Sequence, residues 1–535
     1  MNNKLKEIIK NALSKLDINI SLEDIMIETP KDTKNGDYSS NIAMKLAKNL
    51  KDSPINIANK IVTLLEDEII DKVMVANPGF INFYLKKDYL FENINTILTE
   101  QDNYGRINIG DNQKVNIEFV SANPTGTLHV GHGRGAVYGS SLANILSFAG
   151  FDVTREYYVN DGGNQINNLN RSIKIRYNNL CGGNLELDSN CYHGKEIIEV
   201  AKNIYDKYGK NADDEIISKY GVDYLLSEIK KDLDEFRVSF DVWSSEKSIY
   251  KRGLVDNTLK TLIAKNYTYE SEDAIWLKTT LFNDDKDRVL VKSDKSNTYL
   301  LPDIAYHLDK YQRGFDYLID VLGADHHGYI ARLKSGIHMM GEDENKLTVK
   351  ILQMVRLLKD GEEVKLSKRT GKTITLKELI EEVGVDATRY FFANKSLDTQ
   401  LDFDITLATS NSNENPVYYI QYAYARISSI LRDYKKDIAN IEKYDTINSE
   451  CAYNLLVKLY EFPNIVKLAS LKYAPHIVTN YVYEVANCFH VFYNFEKVLT
   501  DDEKKTKERI NLIKATAIVI KNSLRLLSIE TKDKM

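Results

Sequence analysis

Val115-Asn-Ile-Glu-Phe-Val-Ser-Ala-Asn-Pro-Thr-Gly-Thr-Leu-His129-Val-Gly-His132-Gly-Arg-Gly135 decides the fold of this chain. Its first six residues are apolar apart from Asn116 and Glu118 and read as a buried parallel strand. A turn follows at Asn123-Pro-Thr-Gly126, and a glycine-dense segment then opens a helix running through Ala136 to Leu146. Strand, glycine turn and helix N-terminus together form an anion site, because unpaired backbone N–H groups and the helix dipole face one point. His129 and His132, three residues apart, project from one side of the first turn. Zinc would need further ligands, and no Cys or carboxylate lies at ligand-like spacing. GxxxxGK[ST] is absent, so this is not a P-loop. A pair of core histidines is the bland alternative. Flanked by three glycines, the pair suits a nucleotide triphosphate better.

A chain of 535 residues exceeds one core and divides into three or four domains. Its 43% hydrophobic and 28% charged content is ordinary globular material. Cys181, Cys191, Cys451 and Cys488 form no CxxC and no disulfide framework, which favours a reducing cytoplasm. The start, Met-Asn-Asn-Lys-Leu-Lys-Glu, has no apolar signal core, and no run of 18 apolar residues occurs, so no membrane is expected. The net charge of −6 argues against general nucleic-acid binding but leaves room for local patches on separate domains.

Residues 1–108 read as a small α/β module, with helical periodicity at Leu5, Ile8, Ile9, Ala12 and Leu13 and a hairpin-like strand pair around Asn77-Pro-Gly. Residues 109–378 continue the nucleotide fold. Val153–Val159 is a second strand ending in the glycine turn Asn160-Asp-Gly-Gly, so strand, helix and strand follow the doubly wound pattern. Residues from about 167 to 234 are helical, polar and irregular and read as an insertion, and Phe240-Asp-Val-Trp243 returns to the core. In the second half, Tyr299 and Asp303 flank Pro302, which places the carboxylate at a turn, with a helix N-cap as its bland role. Asp325, His326 and His327 at a strand end are too bunched to surround one metal ion and read as lining of the nucleotide pocket. Lys365-Leu-Ser367-Lys368-Arg369 puts two lysines on a loop, a cationic clamp for phosphates or a solvated surface run. From 379 to 535 the chain is almost all helix, with aromatic stripes that suit either a core or a base-stacking platform.

His129-Val-Gly-His132 resembles the HIGH signature of class I aminoacyl-tRNA synthetases, and Ser121-Ala-Asn-Pro-Thr-Gly126 resembles its arginyl form. Lys365–Arg369 resembles the KMSKS loop, with Leu for Met and Arg for the last Ser. Glu28-Thr-Pro-Lys, Gly36-Asp-Tyr and Asn77-Pro-Gly-Phe-Ile-Asn-Phe are similar to the N-terminal domain of arginyl-tRNA synthetases, and 379–535 resembles a DALR-type anticodon-binding bundle. The likeness spans essentially the whole chain. It implies a Rossmann-type catalytic domain between an N-terminal α/β domain and a C-terminal helical bundle. The implied activity is ligation of arginine to tRNA(Arg) through arginyl-adenylate, with AMP and diphosphate released.

By that resemblance His129, His132, Lys365 and Lys368 are catalytic, as donors to the departing pyrophosphate. Arginine falls to Glu118, Ser121, Asn123, His132, Tyr299 and Asp303. A carboxylate is the natural bidentate partner of a guanidinium, so Asp303 is the first choice for reading the side chain. ATP, carrying Mg²⁺, falls to His129, Gly131, His132, Asp325, His326, Lys365, Ser367 and Lys368, with no structural metal expected. Phe80 and Asn82 in the N-terminal domain and Tyr418, Gln421, Tyr422 and Arg426 in the bundle are the candidate tRNA contacts. Some arginyl enzymes place a lysine just ahead of the HIGH histidines in place of the second loop lysine. Here that position is Gly126 and Lys368 is present. A monomer is expected. The alternatives are a nucleotidylyltransferase, which leaves about 150 helical residues unexplained, and a non-catalytic tRNA-binding paralogue.

Overall fold

A computed structural model describes residues 2–28, 30, 33–282, 284–326, 328–364 and 374–535. Its centre is a five-stranded parallel sheet: β1 (Lys114–Glu118), β2 (Asp152–Val159), β3 (Val242–Ser245), β4 (Tyr317–Gly323) and β5 (Leu347–Leu352). The order is β5-β4-β1-β2-β3, with every neighbouring pair parallel. The chain moves outward from β1 on one side, then returns to β4 on the other. Ligands of such sheets bind at this switch point, outside the carboxyl ends of the strands. Val115, Ile117, Leu318 and Ile319 are buried, as a sheet covered on both faces requires.

Helix α1 (Val130–Phe148) follows β1 and is buried along most of its length. Its glycines let neighbours approach closely. A Cβ on Gly139 would lie 2.2 Å from the Phe119 ring, and one on Gly133 would lie 2.6 Å from Leu376. The expected insertion is three helices, Gly163–Leu180, Lys195–Tyr208 and Asp214–Glu235, closed on a core of their own that includes Ile173, Ile197, Ile204 and Leu225.

After β5 a small sheet is built on Val355–Lys359, antiparallel to Glu362–Glu363 and parallel to Leu401–Asp404. The expected boundary at residue 378 therefore falls inside the unit it was meant to close, since a strand from beyond it completes this sheet. Helix Val385–Ala393 also packs on α1. Helices Pro416–Tyr434, Glu450–Lys472, His476–Phe495 and Glu503–Leu526 form the C-terminal bundle. The N-terminal module sets helices Asn2–Ser14, Ile42–Leu50 and Pro54–Val62 beside a three-stranded antiparallel sheet. It docks on the bundle through polar contacts: Tyr453 Oη donates to Asp37 Oδ1 (2.7 Å) and Asn95 Nδ2 to the Ile441 carbonyl (2.7 Å). No helix of the described residues is long and apolar enough to cross a membrane.

Candidate active site

β1 ends at Glu118, and the backbone turns at once through Val120 and Ser121, whose φ values of 68° and 38° are left-handed. Such non-glycine conformations cost about 1–3 kcal/mol each and cluster at functional sites. Side-chain bonds hold the turn: Ser121 Oγ donates to Glu118 Oε1 (3.0 Å) and accepts the Tyr158 N–H (3.0 Å).

At the start of α1 the two histidines form a reciprocal cap. His129 Nδ1 accepts the Gly131 N–H (3.1 Å), and His132 Nδ1 accepts the His129 N–H (3.3 Å). The rings stack with centroids 3.7 Å apart. A backbone N–H can only donate, so both Nδ1 atoms are unprotonated and each ring carries its proton on Nε2. Burial pushes the His129 pKa down, and burial together with His129 pushes His132 down to about 3. Both imidazoles are therefore neutral at pH 7. They remain hydrogen-bond donors, through Nε2–H.

Two carboxylates lie at the same carboxyl end of the sheet. Asp303, in the first turn of helix Leu300–Gln312, accepts a hydrogen bond from the Tyr329 hydroxyl. Burial raises its pKa to about 6, against the effect of that bond. Glu246, 9% exposed, is the first residue of the helix that follows β3. Asn160, with its amide nitrogen facing inward, donates to Glu246 Oε2 at 2.7 Å. Burial raises Glu246 to about 7, and the charges acting on it, Asp303 and Asp161, are both negative. The Tyr158 phenol lies in the fields of Glu246, Asp303 and Glu118 together, which with burial raise its pKa. Glu246 and the half-buried Asp303 thus lie in each other's field, and among the described residues neither forms an ion pair, although His307 acts on Asp303. Burying charge in this way is costly unless a ligand neutralises it.

Glu118, Lys310, Asp320 and His307 instead satisfy one another. Lys310 Nζ donates to Glu118 Oε2 (2.6 Å) and Asp320 Oδ1 (3.0 Å), and His307 Nε2 bonds Asp320 Oδ2 (2.7 Å). His307 Nδ1 meets the Asp303 carbonyl (2.7 Å), so both its ring nitrogens face acceptors and the ring is protonated. Burial alone would lower the Lys310 and His307 pKa values, but Asp320 overrides it and both are raised.

Several expected ligands change role. The Glu118 carboxylate is committed to Lys310 and Ser121, so it is a framework residue. Tyr299 is 70% exposed, at the cap position before the Asp303 helix, and Tyr329 takes the place beside Asp303 that was expected for it. Asn123 Nδ2 is spent on Gln165 Oε1 (2.6 Å). His326 sits in a short 3₁₀ turn after β4, edge-on to Tyr329 at 5.9 Å. Nothing is described for the side chain of Asp325, and Lys365, Ser367 and Lys368 lie outside the described residues. Among the described residues no group of three His, Cys, Asp or Glu is arranged to hold a metal ion.

Two candidate tRNA contacts are buried and already bonded. Asn82 accepts from Ser39 Oγ (2.7 Å), and Gln421 Nε2 donates to Asp386 Oδ2 (3.0 Å) and the Glu530 carbonyl (2.9 Å). Both are corrected to structural residues. Phe80 is half-buried. Tyr418, Tyr422 and Arg426 stay partly exposed and ordered: Tyr418 and Tyr422 stack at 6.0 Å, and the Arg426 guanidinium lies between Tyr422 and Tyr493 at 4.5 and 4.4 Å.

Three family descriptions match the sequence: "Arginyl tRNA synthetase N terminal domain" over residues 3–85, "tRNA synthetases class I (R), catalytic domain" over 93–411, and "DALR anticodon binding domain" over 420–535. Among curated proteins the chain is similar to the arginine–tRNA ligase of Bacillus subtilis, 48% identical over 551 residues covering 100% of this chain and 99% of that one. It is 50% identical to the arginine–tRNA ligase of Listeria welshimeri, covering 96% and 95%. The Thermus thermophilus arginyl-tRNA synthetase structure superposes with a TM-score of 0.79 at 20% identity over 100% of both chains, a likeness of fold.

Proposed function

This chain belongs to the class I arginyl-tRNA synthetases and is an arginine–tRNA ligase, and from that premise we propose how its residues share the work. Asp303 and Glu246 form the slot that reads the arginine side chain, and His129 and His132 hold the triphosphate of ATP. The observation that carries this reading is a pair of carboxylates, both raised in pKa and without an ion-pair partner among the described residues, at the same end of the sheet as a donor pair at a helix N-terminus. A guanidinium supplies the missing positive charge and enough donors for two carboxylates at once. Lysine, with one point charge, leaves acceptors unpaired and is disfavoured.

With arginine seated, its carboxylate oxygen attacks the α-phosphorus of MgATP, and the bond to the β-phosphate oxygen breaks as pyrophosphate leaves. The terminal ribose hydroxyl of tRNA(Arg) then attacks the arginyl carbonyl, and AMP departs. No side-chain nucleophile is needed; rate comes from positioning and from donors placed where charge builds. The imidazoles give neutral Nε2–H donors, so the positive charge opposite pyrophosphate falls to Lys365, Lys368 and the magnesium that ATP brings. Tyr418, Tyr422 and Arg426, with Tyr493, form the platform for unpaired anticodon bases. The same reading places the enzyme in the cytoplasm as a monomer.

ATP–pyrophosphate exchange tests the division of labour. Asp303→Asn and Glu246→Gln should raise the KM for arginine and leave that for ATP unchanged. A rise in the ATP KM alone would overturn the slot.

A further inference from the structure

α1 carries one more unusual side chain. Arg134, two residues beyond His132, is 0% exposed, yet among the described residues it pairs with no carboxylate. Its guanidinium instead donates to three backbone carbonyls: Nη1 to Gln353 (2.9 Å), and Nη2 to Ser396 (2.8 Å) and Thr399 (2.8 Å). Nε is buried without a partner. Burial lowers its pKa to about 10, with the charge of Asp398 opposing. Removing the guanidinium would leave the Gln353 and Thr399 carbonyls without this donor, a cost to stability, so a role in positioning must show in the rate and not in folding alone.

The three carbonyls share a location. Gln353 is the first of the two residues between β5 and the small sheet, while Ser396 and Thr399 form the turn that enters that sheet's parallel strand. Gln353 N–H donates to the Leu397 carbonyl (3.0 Å) and Leu401 N–H to the Met354 carbonyl (3.1 Å), so the two segments are already laced together. Gly133, next to Arg134, lets the chain beyond the small sheet approach: a Cβ there would lie 2.6 Å from Leu376. The other face of the same helical turn meets the chain again: Leu376 N–H donates to the Leu128 carbonyl (2.8 Å), and His129 bridges Thr375. The imidazole turn is therefore fixed at two points to the region that follows β5.

We propose that Arg134 is a positioning residue for adenylate formation, whose planar fork sets the first turn of α1, and with it the His129–His132 pair, against the small sheet. A fork reaches three carbonyls from two chain segments at once; a lysine ammonium on a flexible stem does not reproduce that geometry. The proposal rests on the assignment of the imidazoles to the triphosphate, and the test separates the two.

The test is ATP–pyrophosphate exchange by the full-length enzyme, with arginine affinity and thermal stability measured on each variant. Arg134→Met and Arg134→Lys should keep the arginine KM while kcat falls about 10- to 100-fold, as a misplacement of about 1 Å does. In Arg134→Ala, added methylguanidinium should restore part of kcat. Either folded variant with unchanged kcat overturns the proposal. Should Met not fold, Lys decides by the same criterion. Recovery of the Tm of Arg134→Ala by methylguanidinium without recovery of exchange also overturns it, as the role is then structural only. His132→Asn is run alongside. Full exchange by that variant overturns the imidazole assignment itself, whereas full exchange by Arg134→Met alone overturns only this inference.

Discussion

Arginine affinity should fall steeply in mild acid, and the fall can be worked from two groups. Glu246 is raised to about 7 by burial and by Asp303 and Asp161, and Asp303 to about 6 chiefly by burial. A guanidinium binds the ionised carboxylates and lowers both pKa values in the complex. Protonation of the free enzyme therefore competes with binding, and Kd must rise as pH falls through 7 and then 6. Between pH 7.5 and 5.5 the two titrations weaken binding about 100-fold, or about 2.7 kcal/mol. The two carboxylates interact, so the limbs belong to the pair rather than to either residue. At pH 7 about 0.6 proton should leave on binding, roughly half from Glu246 and a tenth from Asp303. At pH 7 the imidazoles are neutral and do not contribute, because both titrate below the usual histidine value. Isothermal calorimetry in buffers of different ionisation enthalpy measures Kd and proton release together. Glu246→Gln should remove the upper limb and Asp303→Asn the lower. A Kd constant within threefold from pH 7.5 to 5.5, or proton uptake at pH 7, would refute the reasoning.

The same carboxylates tax the empty enzyme. Their folded-state pKa values exceed the unfolded ones, so stability is lost as pH rises from about 4 towards 7 and stays lost above that range. Asp303→Asn should accordingly raise the Tm of the apoenzyme at pH 8, by a gain on the order of 2 kcal/mol, while weakening arginine binding. His132→Ala should cost roughly 3–4 kcal/mol in transition-state stabilisation, as losing one preorganised donor does. Lys368→Ala should depress exchange and leave arginine affinity intact, as measured by KM. Gly139→Ala, whose new methyl would meet the Phe119 ring at 2.2 Å, should lower the urea midpoint by an amount equivalent to about 1–3 kcal/mol, with partial relief from Phe119→Leu.

The strand, glycine turn and helix at Val115–Leu146 could be read from the sequence because each is a local signal: an apolar run, a turn dipeptide and small residues at a helix start. Asp303 was legible for its chemistry, but its tyrosine partner was not. Tyr299 sits one helical turn before it and looks like a neighbour, yet the helix begins at Leu300 and leaves Tyr299 in solvent. Tyr329 reaches the carboxylate from 26 residues away, a contact that exists only after the sheet has formed. Glu246 was missed because Ser244-Ser-Glu-Lys reads as an exposed helix start. Its one signal was position, just after a core strand carrying Trp243. Gln421 and Asn82 misled for the opposite reason: polar residues in aromatic surroundings suggest a binding face, and here their amides bond within the protein. The charge of the histidine pair could not be read from spacing at all, since the reciprocal cap that fixes their protonation is a backbone geometry.

A crystal structure of the enzyme with arginine bound tests the central claim most directly. The guanidinium should lie within hydrogen-bond distance of both Asp303 and Glu246, about 2.7–3.2 Å, with the arginine carboxylate directed towards His129 and His132. A guanidinium seated away from both carboxylates would contradict the account.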